Sequence, residues 1–549
     1  MDPTGSRSPR GEAKALSNQA HEPSQTRATQ EGRPFYCPRR DDWTALRRFL
    51  ILGSDGGSYY ASEFRLTREA ADAVERCISG DGPRTVAEIV ALCHDGRAPK
   101  REPALFALAL AASIGDEPTR QVALDALPEV ARSSVDLFEF VAFVEEFRGW
   151  GRALRRAVGA WYATRPVDAL AYQAVKHRAR PDRTHRDLLR LSHPGEQVSA
   201  RNPTQPVSEE HRRLFEWIVR GGETDGLPRI VQGFAAAQTA PEPRDSAALV
   251  GEYGLPPEAL RDEHLESDEV WAALLREMPV TAIVRQLAAL TEAGVLTAGS
   301  PATAEVVAAL GNAERVRRAR IHPLALLAAL RGNRPPAPQV RDALDAAFYA
   351  AFENVEPTGR RTLVTLDVSG SMEIGQVAGV PGLTPRDAAA ALALIAVSRE
   401  PDCRIAGFYA SDEGFSAPGD GRFAGSGDGL TPLPIVAGQR LEEAVAAISG
   451  LPFGGTDCAL PMLWAAQTGA EIDTFIVYTD SEPTTGVLSP AQALADYRRA
   501  SGIDARLIVV GMVSGGLQVA DPADQRMLDV VGFDAATPQL VADFSRGAL

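Results

Sequence analysis

The sequence predicts a multidomain chain in which a stack of short helices is followed by an α/β sheet domain. Three observations carry this. From about residue 41 to 355 apolar residues recur at helical spacing between short turns, and strand-like runs are nearly absent. From 362 onward short apolar runs alternate with helical stretches, the pattern of βαβ units in a largely parallel sheet. Between the two, Pro357-Thr-Gly359 is the only linker, so the modules are expected to pack closely.

Taken in order, residues 1–40 are rich in Ser, Pro, Gly, Arg and Gln and lack a hydrophobic signal-peptide centre. They are expected to be a disordered tail, followed by a helical domain at 41–357 and an α/β domain at 358–549. Ala104-Leu-Phe-Ala-Leu-Ala-Leu-Ala-Ala-Ser is too apolar for a surface helix and should be buried on most sides. Leu137-Phe-Glu-Phe-Val-Ala-Phe-Val and Leu324-Ala-Leu-Leu-Ala-Ala-Leu continue the pattern. Many short amphipathic helices without a long one favour a solenoid of antiparallel pairs over a four-helix bundle. The stretch 194–245, with Pro203, Pro206, Gly221, Gly222, Pro241 and Pro243, is expected to include an irregular or inserted surface segment. In the second domain strands are expected at 362–367, 404–410, 474–480 and 505–512, and helices at 384–398, 440–448, 456–468 and 489–500.

Charge divides along the same boundary. The whole chain carries a formal charge of -15, yet residues 148–193 hold eleven Lys/Arg against three Asp, a net +8. From Gly359 to the end there are 12 Arg, no Lys and 23 Asp/Glu, a net -11. The acidic total argues against general nucleic-acid affinity, and the local excess argues for a polyanion at one place. Five scattered cysteines show neither CxxC nor His/Cys spacing, against a disulfide framework or a zinc site. No apolar run reaches the roughly 18 residues of a membrane span. A cytoplasmic protein with no membrane contact is expected.

The first strand, Thr362-Leu-Val-Thr-Leu-Asp367, runs into Val-Ser369-Gly-Ser371. A helix N-cap turn uses the same residue types. Ligands of open α/β sheets, however, gather at the carboxyl ends of strands, and a carboxylate with two hydroxyls offers oxygen ligands suited to a hard divalent cation. Gly454-Gly-Thr456-Asp457 opens a helical run, and Phe475-Ile-Val-Tyr-Thr-Asp480 is a second strand ending in a carboxylate. The expected site has Ser369 and Ser371, with or without Thr456, as direct ligands of Mg²⁺ (or Mn²⁺). Asp367 and Asp480 act through water, and one position stays open for a partner's carboxylate or phosphate.

In the basic segment Arg152, Arg155 and Arg156 stand at helical spacing, followed by Lys176, Arg178, Arg180, Arg183, Arg186 and Arg190. A helix continuing past 176 would set Lys176 and Arg180 on one face. Neutralising phosphates needs such a cluster. Trp150, Trp161, Tyr162 and Tyr172 are interleaved and offer either stacking surfaces or core. His177 and His185 are read as structural or surface residues, His322 as packing or a cap, and Arg47, Arg48 and Gly56-Gly57 as structural parts of the repeats.

Asp367-x-Ser369-x-Ser371 with Thr456 and Asp480 resembles the metal-ion-dependent adhesion site of von Willebrand factor A domains. Phe-Tyr-Ala-Ala-Phe-Glu-Asn-Val-Glu-Pro-Thr-Gly-Arg at 348–360, Gly-Gly-Thr-Asp-Cys-Ala-Leu-Pro-Met-Leu-Trp-Ala at 454–465 and Ala-Asp-Pro-Ala-Asp-Gln-Arg-Met-Leu-Asp at 520–529 resemble the Ro ribonucleoprotein autoantigen family. Leu46-Arg-Arg-Phe-Leu-Ile-Leu-Gly-Ser-Asp-Gly-Gly-Ser-Tyr-Tyr60, Glu102-Pro-Ala-Leu-Phe-Ala-Leu-Ala and Arg186-Asp-Leu-Leu-Arg-Leu-Ser-His193 are similar to its TROVE domain, and the whole to its bacterial-type members. The resemblance implies a multidomain fold in which an all-α, HEAT-like helical-repeat toroid is closed by an α/β, Rossmann-like von Willebrand factor A domain, as a monomeric ring. It implies that Lys176, Arg180 and His193 contact a small non-coding Y RNA on the outer surface. Single-stranded 3′ ends of misfolded RNA would enter the basic central hole, for RNA quality control, and Y RNA could tether an exoribonuclease. Arg152, Arg155, Arg156, Arg186 and Arg190 are the further RNA-binding candidates.

Two other function classes compete. A metal-dependent protein-interaction scaffold without RNA leaves the basic stretch unexplained. A hydrolase using Asp367 lacks a Gly-x4-Gly-Lys-[Ser/Thr] loop, an Asp-x-Asp pair and a His/Cys partner near Ser369 or Ser371, so no enzymatic activity is expected.

Overall fold

The structure is a computed structural model. It describes all residues except 1–41, 55–57, 62–65, 69–70, 96–97, 99, 181, 195–206, 333–336, 379, 381, 410–428, 450–455, 481–487, 514–518, 522–523, 534–535 and 549. The expected tail, Gly56-Gly57 and Gly454-Gly455 therefore lie outside the described residues. Those described from Asp42 onward fall in one compact unit, Arg40–Leu549.

Helix follows helix from Asp42–Leu52 to Pro338–Ala350. The Glu102–Ile114 helix is buried along almost its entire length, as its all-round apolar sequence requires. Punctuation residues set the helix ends. Ser133 and Thr184 form capping boxes with Asp136 and Asp187 at the starts of Ser134–Phe147 and His185–Ser192. The described part of 194–245 holds three helices, Glu209–Arg220, Arg229–Thr239 and Pro243–Tyr253, with a non-helical stretch at 221–228 between the first two. Gly221, at φ 74°, closes the first of these, and Pro243 starts the third. Glycine supplies the left-handed backbone and proline the first-turn φ, so these residues bound helices here instead of breaking them.

Among the described residues seven strands form one sheet: β1 Ser58–Tyr60, β2 Thr362–Asp367, β3 Cys403–Tyr409, β4 Gly429–Pro432, β5 Thr474–Thr479, β6 Arg506–Gly511 and β7 Met527–Val531. Their order is β1-β7-β6-β5-β2-β3-β4, parallel except for β4 against β3. The four expected strands appear within a residue at each end. Three others are not expected from the sequence: β1 is only three residues, β4 reads as a turn, and β7 carries an aspartate at its centre. That carboxylate, Asp529, is satisfied by Val519 and Ala520 backbone N–H donors at 2.9 Å. The helix expected at 456–468 begins at Leu460, with Pro461 in its first turn.

Alternate strand residues enter two cores. Val364, Leu366, Ile476, Tyr478, Ile508 and Val510 join one cluster that runs on without a break into the helical module. Leu363, Phe475, Val477, Leu507 and Val509 pack under the Leu460–Thr468 and Pro490–Ser501 helices. A sheet buried on both faces is what near-continuous apolar strands specify.

Both ends of the helical array meet this sheet domain. At the start, β1 pairs with β7, and Arg48 donates to the carbonyls of Gln525 and Met527, each at 3.2 Å. At the finish, Arg440 pairs with Asp345 at 2.7 Å and the Tyr349 hydroxyl accepts from Leu441 N–H at 2.9 Å. The run of packed elements thus closes on itself through the α/β domain.

Candidate metal centre and nucleic-acid interface

Asp367 ends β2 and is 1% exposed. Its Oδ1 accepts the Ser369 backbone N–H at 2.8 Å, the tight turn that Asp-x-Ser encodes. Its Oδ2 accepts the Thr456 hydroxyl at 2.9 Å and the Thr479 hydroxyl at 2.8 Å. Ser369 and Ser371 face one another, Oγ to Oγ 2.9 Å. Of the five residues singled out in the sequence, these contacts bring Asp367, Ser369, Ser371 and Thr456 together. Asp480 follows Thr479 at the end of β5 and is buried.

Burial pushes the Asp367 carboxyl above its usual range, against the pull of its hydrogen bonds from Ser369, Thr479 and Thr456. All of those donors are neutral. A desolvated carboxylate held by uncharged donors, beside hydroxyl oxygens, fits a hard cation. Nearby Arg386, 3% exposed, holds the Ser369 carbonyl at 3.3 Å and forms an ion pair with Glu373. Sequence reasoning misses Thr479 and Arg386. Thr479 is legible as the last residue of a strand that already points to the site, whereas Arg386 lies beyond the motif on the next helix.

The basic segment is built on three helices, Arg152–Thr164, Val167–Lys176 and His185–Ser192. Arg152, Arg156, Arg186, Arg190 and His193 are exposed, while Arg155 is half-buried and donates to the Ser192 carbonyl at 3.3 Å. His193, at φ 44°, caps its helix in the left-handed conformation. The helix does not continue past Lys176: His177 ends it, and Arg180 lies beyond a turn. Lys176 and Arg180 still act together, since after burial they are what hold the His177 imidazole below its usual range. Arg180 lies over the Phe138 ring at 5.7 Å, and Lys176 6.0 Å from the centre of Tyr172.

Other members of the segment are structural. Arg165 donates to the carbonyls of Pro128 and Ala131, each at 2.7 Å, and Arg183 pairs with Glu145. Trp161 and Tyr162 are fully buried, so only Tyr172, 40% exposed, and half-buried Trp150 reach toward solvent. His185 is buried against the Tyr162 hydroxyl at 2.8 Å, and desolvation drives its pKa down to about 3. Among the described residues no helix is long and apolar enough to cross a membrane.

Comparison with known proteins accounts for both halves. The model of the Ro60 vWA domain matches residues 361–545, and that of the TROVE domain matches 30–221 and 257–332. The chain is 40% identical over 519 residues to the RNA-binding protein RO60 of Deinococcus radiodurans, covering 92% of this chain and 93% of that protein. It is 31% identical over 621 residues to the RNA-binding protein RO60 of Caenorhabditis elegans, covering 98% and 93%. The crystal structure of the Deinococcus radiodurans RO (RSR) protein superposes with a TM-score of 0.81 at 39% identity, over 93% of this chain and 100% of that one.

Proposed function

The chain belongs to the Ro60 family of TROVE and von Willebrand A proteins, and on that premise we propose that it is a Ro-type RNA-binding protein. The observation that carries the proposal is the +8 segment of residues 148–193, folded so that Arg152, Arg156, Arg186, Arg190 and His193 are exposed on an otherwise acidic chain. Phosphates are the polyanion such a face accommodates. Relatives matched over nearly their whole length are named RNA-binding proteins, which supports the reading.

In this proposal Lys176, Arg180 and His193 form the contact for a small structured Y-like RNA, flanked by Arg152, Arg155, Arg156, Arg186 and Arg190. Unpaired 3′ ends of misfolded RNA enter the ring formed by the helical array, and an exoribonuclease is recruited through the RNA. The protein acts as a monomer in the cytoplasm and is a binder, not an enzyme. Asp367, Ser369, Ser371, Thr456 and Asp480 would hold Mg²⁺, or Mn²⁺, through oxygen. The ion would supply a positive charge to which a partner's carboxylate or phosphate binds.

Sequencing RNA that copurifies with the protein tests the partner, and filter binding of that RNA across a salt series tests the interface. A single structured small RNA, bound with steep salt dependence, is expected. Binding absent at every salt concentration would overturn the reading in favour of a metal-dependent protein scaffold.

A further inference from the structure

A largely apolar cavity of about 80 Å³ lies where the two modules and their linker meet. Its walls include Leu392 of the Pro385–Arg399 helix, Ile476 of β5, Val510 of β6, and Val541 and Ala542 of the Thr537–Arg546 helix. Val355, Glu356 and Thr358, in the strap that runs into the linker, line one side. That strap is held down by Arg399 Nε on the Val355 carbonyl at 2.9 Å and by Glu400 accepting the Thr358 N–H at 2.7 Å.

His322 brings a polar group to this lining from the helical module. Its Nδ1 accepts the Leu324 N–H at 3.2 Å, so in the neutral ring the proton sits on Nε2. Burial, which drives the pKa of the ring down to about 3, keeps it neutral. Nε2 is buried and has no hydrogen-bond partner among the described residues. Native proteins satisfy such a donor with a protein group, an ordered water or a ligand. Tyr478, 5% exposed, adds a hydroxyl to the same lining.

The space exceeds what these two groups can hydrate. A water occupies roughly 30 Å³ and needs two to four polar partners. Arg399 and Glu400 are engaged by the strap, Thr362 by the Arg360 carbonyl and Ser545 by the Val541 carbonyl, and most of the lining surface is apolar. We propose that the cavity is a binding site for a compact, mainly apolar ring compound bearing one oxygen. That oxygen accepts the His322 Nε2 proton, and the ring fills the space between Leu392, Ile476 and Val541. The occupant would touch the helical module, the strap and the C-terminal helix at once, so it would stabilise the joint that closes the ring. This inference is independent of the RNA reading.

The test uses the full chain with phenol and with toluene, which has the same shape but no hydroxyl. Affinities come from saturation-transfer NMR and from the shift in melting temperature. The native protein is expected to bind phenol saturably and to melt at a higher temperature with it. His322→Asn keeps a good helix cap but removes Nε2, and is expected to lower the phenol-to-toluene affinity ratio about fivefold. Ala542→Phe fills the space and is expected to abolish binding of both compounds. No saturable binding to the native protein, an unchanged ratio in His322→Asn, or undiminished binding to Ala542→Phe would each overturn the proposal.

Discussion

The Thr479 hydroxyl donates to Oδ2 of Asp367 at 2.8 Å, the same oxygen that receives the Thr456 hydroxyl at 2.9 Å. One buried carboxylate is thereby tied to the ends of two strands and to the turn before the Leu460–Thr468 helix. Oxygens from three separate segments are held together at one point.

Thr479→Val tests this arrangement. The substitution nearly preserves volume and leaves Oδ2 with one donor fewer, at a cost of about 1 kcal/mol in unfolding free energy. Mg²⁺ affinity measured by calorimetry is expected to weaken with it. Because burial raises the folded pKa of Asp367 above its ordinary 3.8, the ion-free protein loses stability as pH rises from that value to the raised one. Added Mg²⁺ is therefore expected to stabilise the protein more at pH 7 than at pH 4. Equal stabilisation at both would show that the Asp367 carboxylate takes no part in holding the ion.

Lys176→Ala together with Arg180→Ala removes two cations that each lower the pKa of His177, which lies between them. For each RNA phosphate that goes unneutralised, the plot of log affinity against log salt is expected to flatten by about 0.7 to 0.9. Filter binding of the copurifying RNA measures it. An unaltered slope would move the RNA interface away from this turn.

How much of the molecule is legible in the sequence follows from locality. Asp367, Ser369 and Ser371 sit within one turn, and the apolar strands predict their own extent, so the edge of the site can be read directly. Arg386 cannot, because its role depends on a helix packing back over the turn. The same holds for β1: Ser58-Tyr-Tyr60 is too short to declare itself, and it becomes a strand because the exposed edge of β7 pairs with it. The helix end at Lys176 escapes sequence reasoning because a run of cations looks alike in a helix and in a turn. Trp161 and Tyr162 fall to the core since helical spacing does not by itself say which face is buried.

Arg48 shows the same limit and carries its own test. The sequence assigns it to a repeat, yet it is 5% exposed and its guanidinium bonds the Gln525 and Met527 carbonyls across the joint between the modules. Arg48→Met keeps much of the packing but leaves both carbonyls without that donor. Charged hydrogen bonds of this kind contribute about 1.5 to 3 kcal/mol each, so a destabilisation of about 2 to 4 kcal/mol is expected in urea unfolding. Limited proteolysis is expected to cut first near 55–65. A change below about 0.5 kcal/mol would mean that Arg48 does not hold the joint.

Glu139 is expected to make RNA binding dependent on pH. Burial first, then the charges of Glu102 and Asp136, push its carboxyl from 4.5 up to about 7, while Arg180 pulls the other way. A raised carboxyl is protonated in the folded chain below about pH 7 and already ionised in the unfolded chain above 4.5, so stability falls as pH rises between those values. An RNA phosphate brought to Arg180 disfavours the charged carboxylate further, which couples RNA binding to proton uptake. Affinity is therefore expected to fall about threefold from pH 6 to pH 8, a modest change because the group is partly solvated. Glu139→Gln removes the titration and should leave affinity flat over that range, with a gain in stability at pH 8 and little change at pH 4. A pH profile that keeps its slope in Glu139→Gln would show that Glu139 is not the source of the dependence.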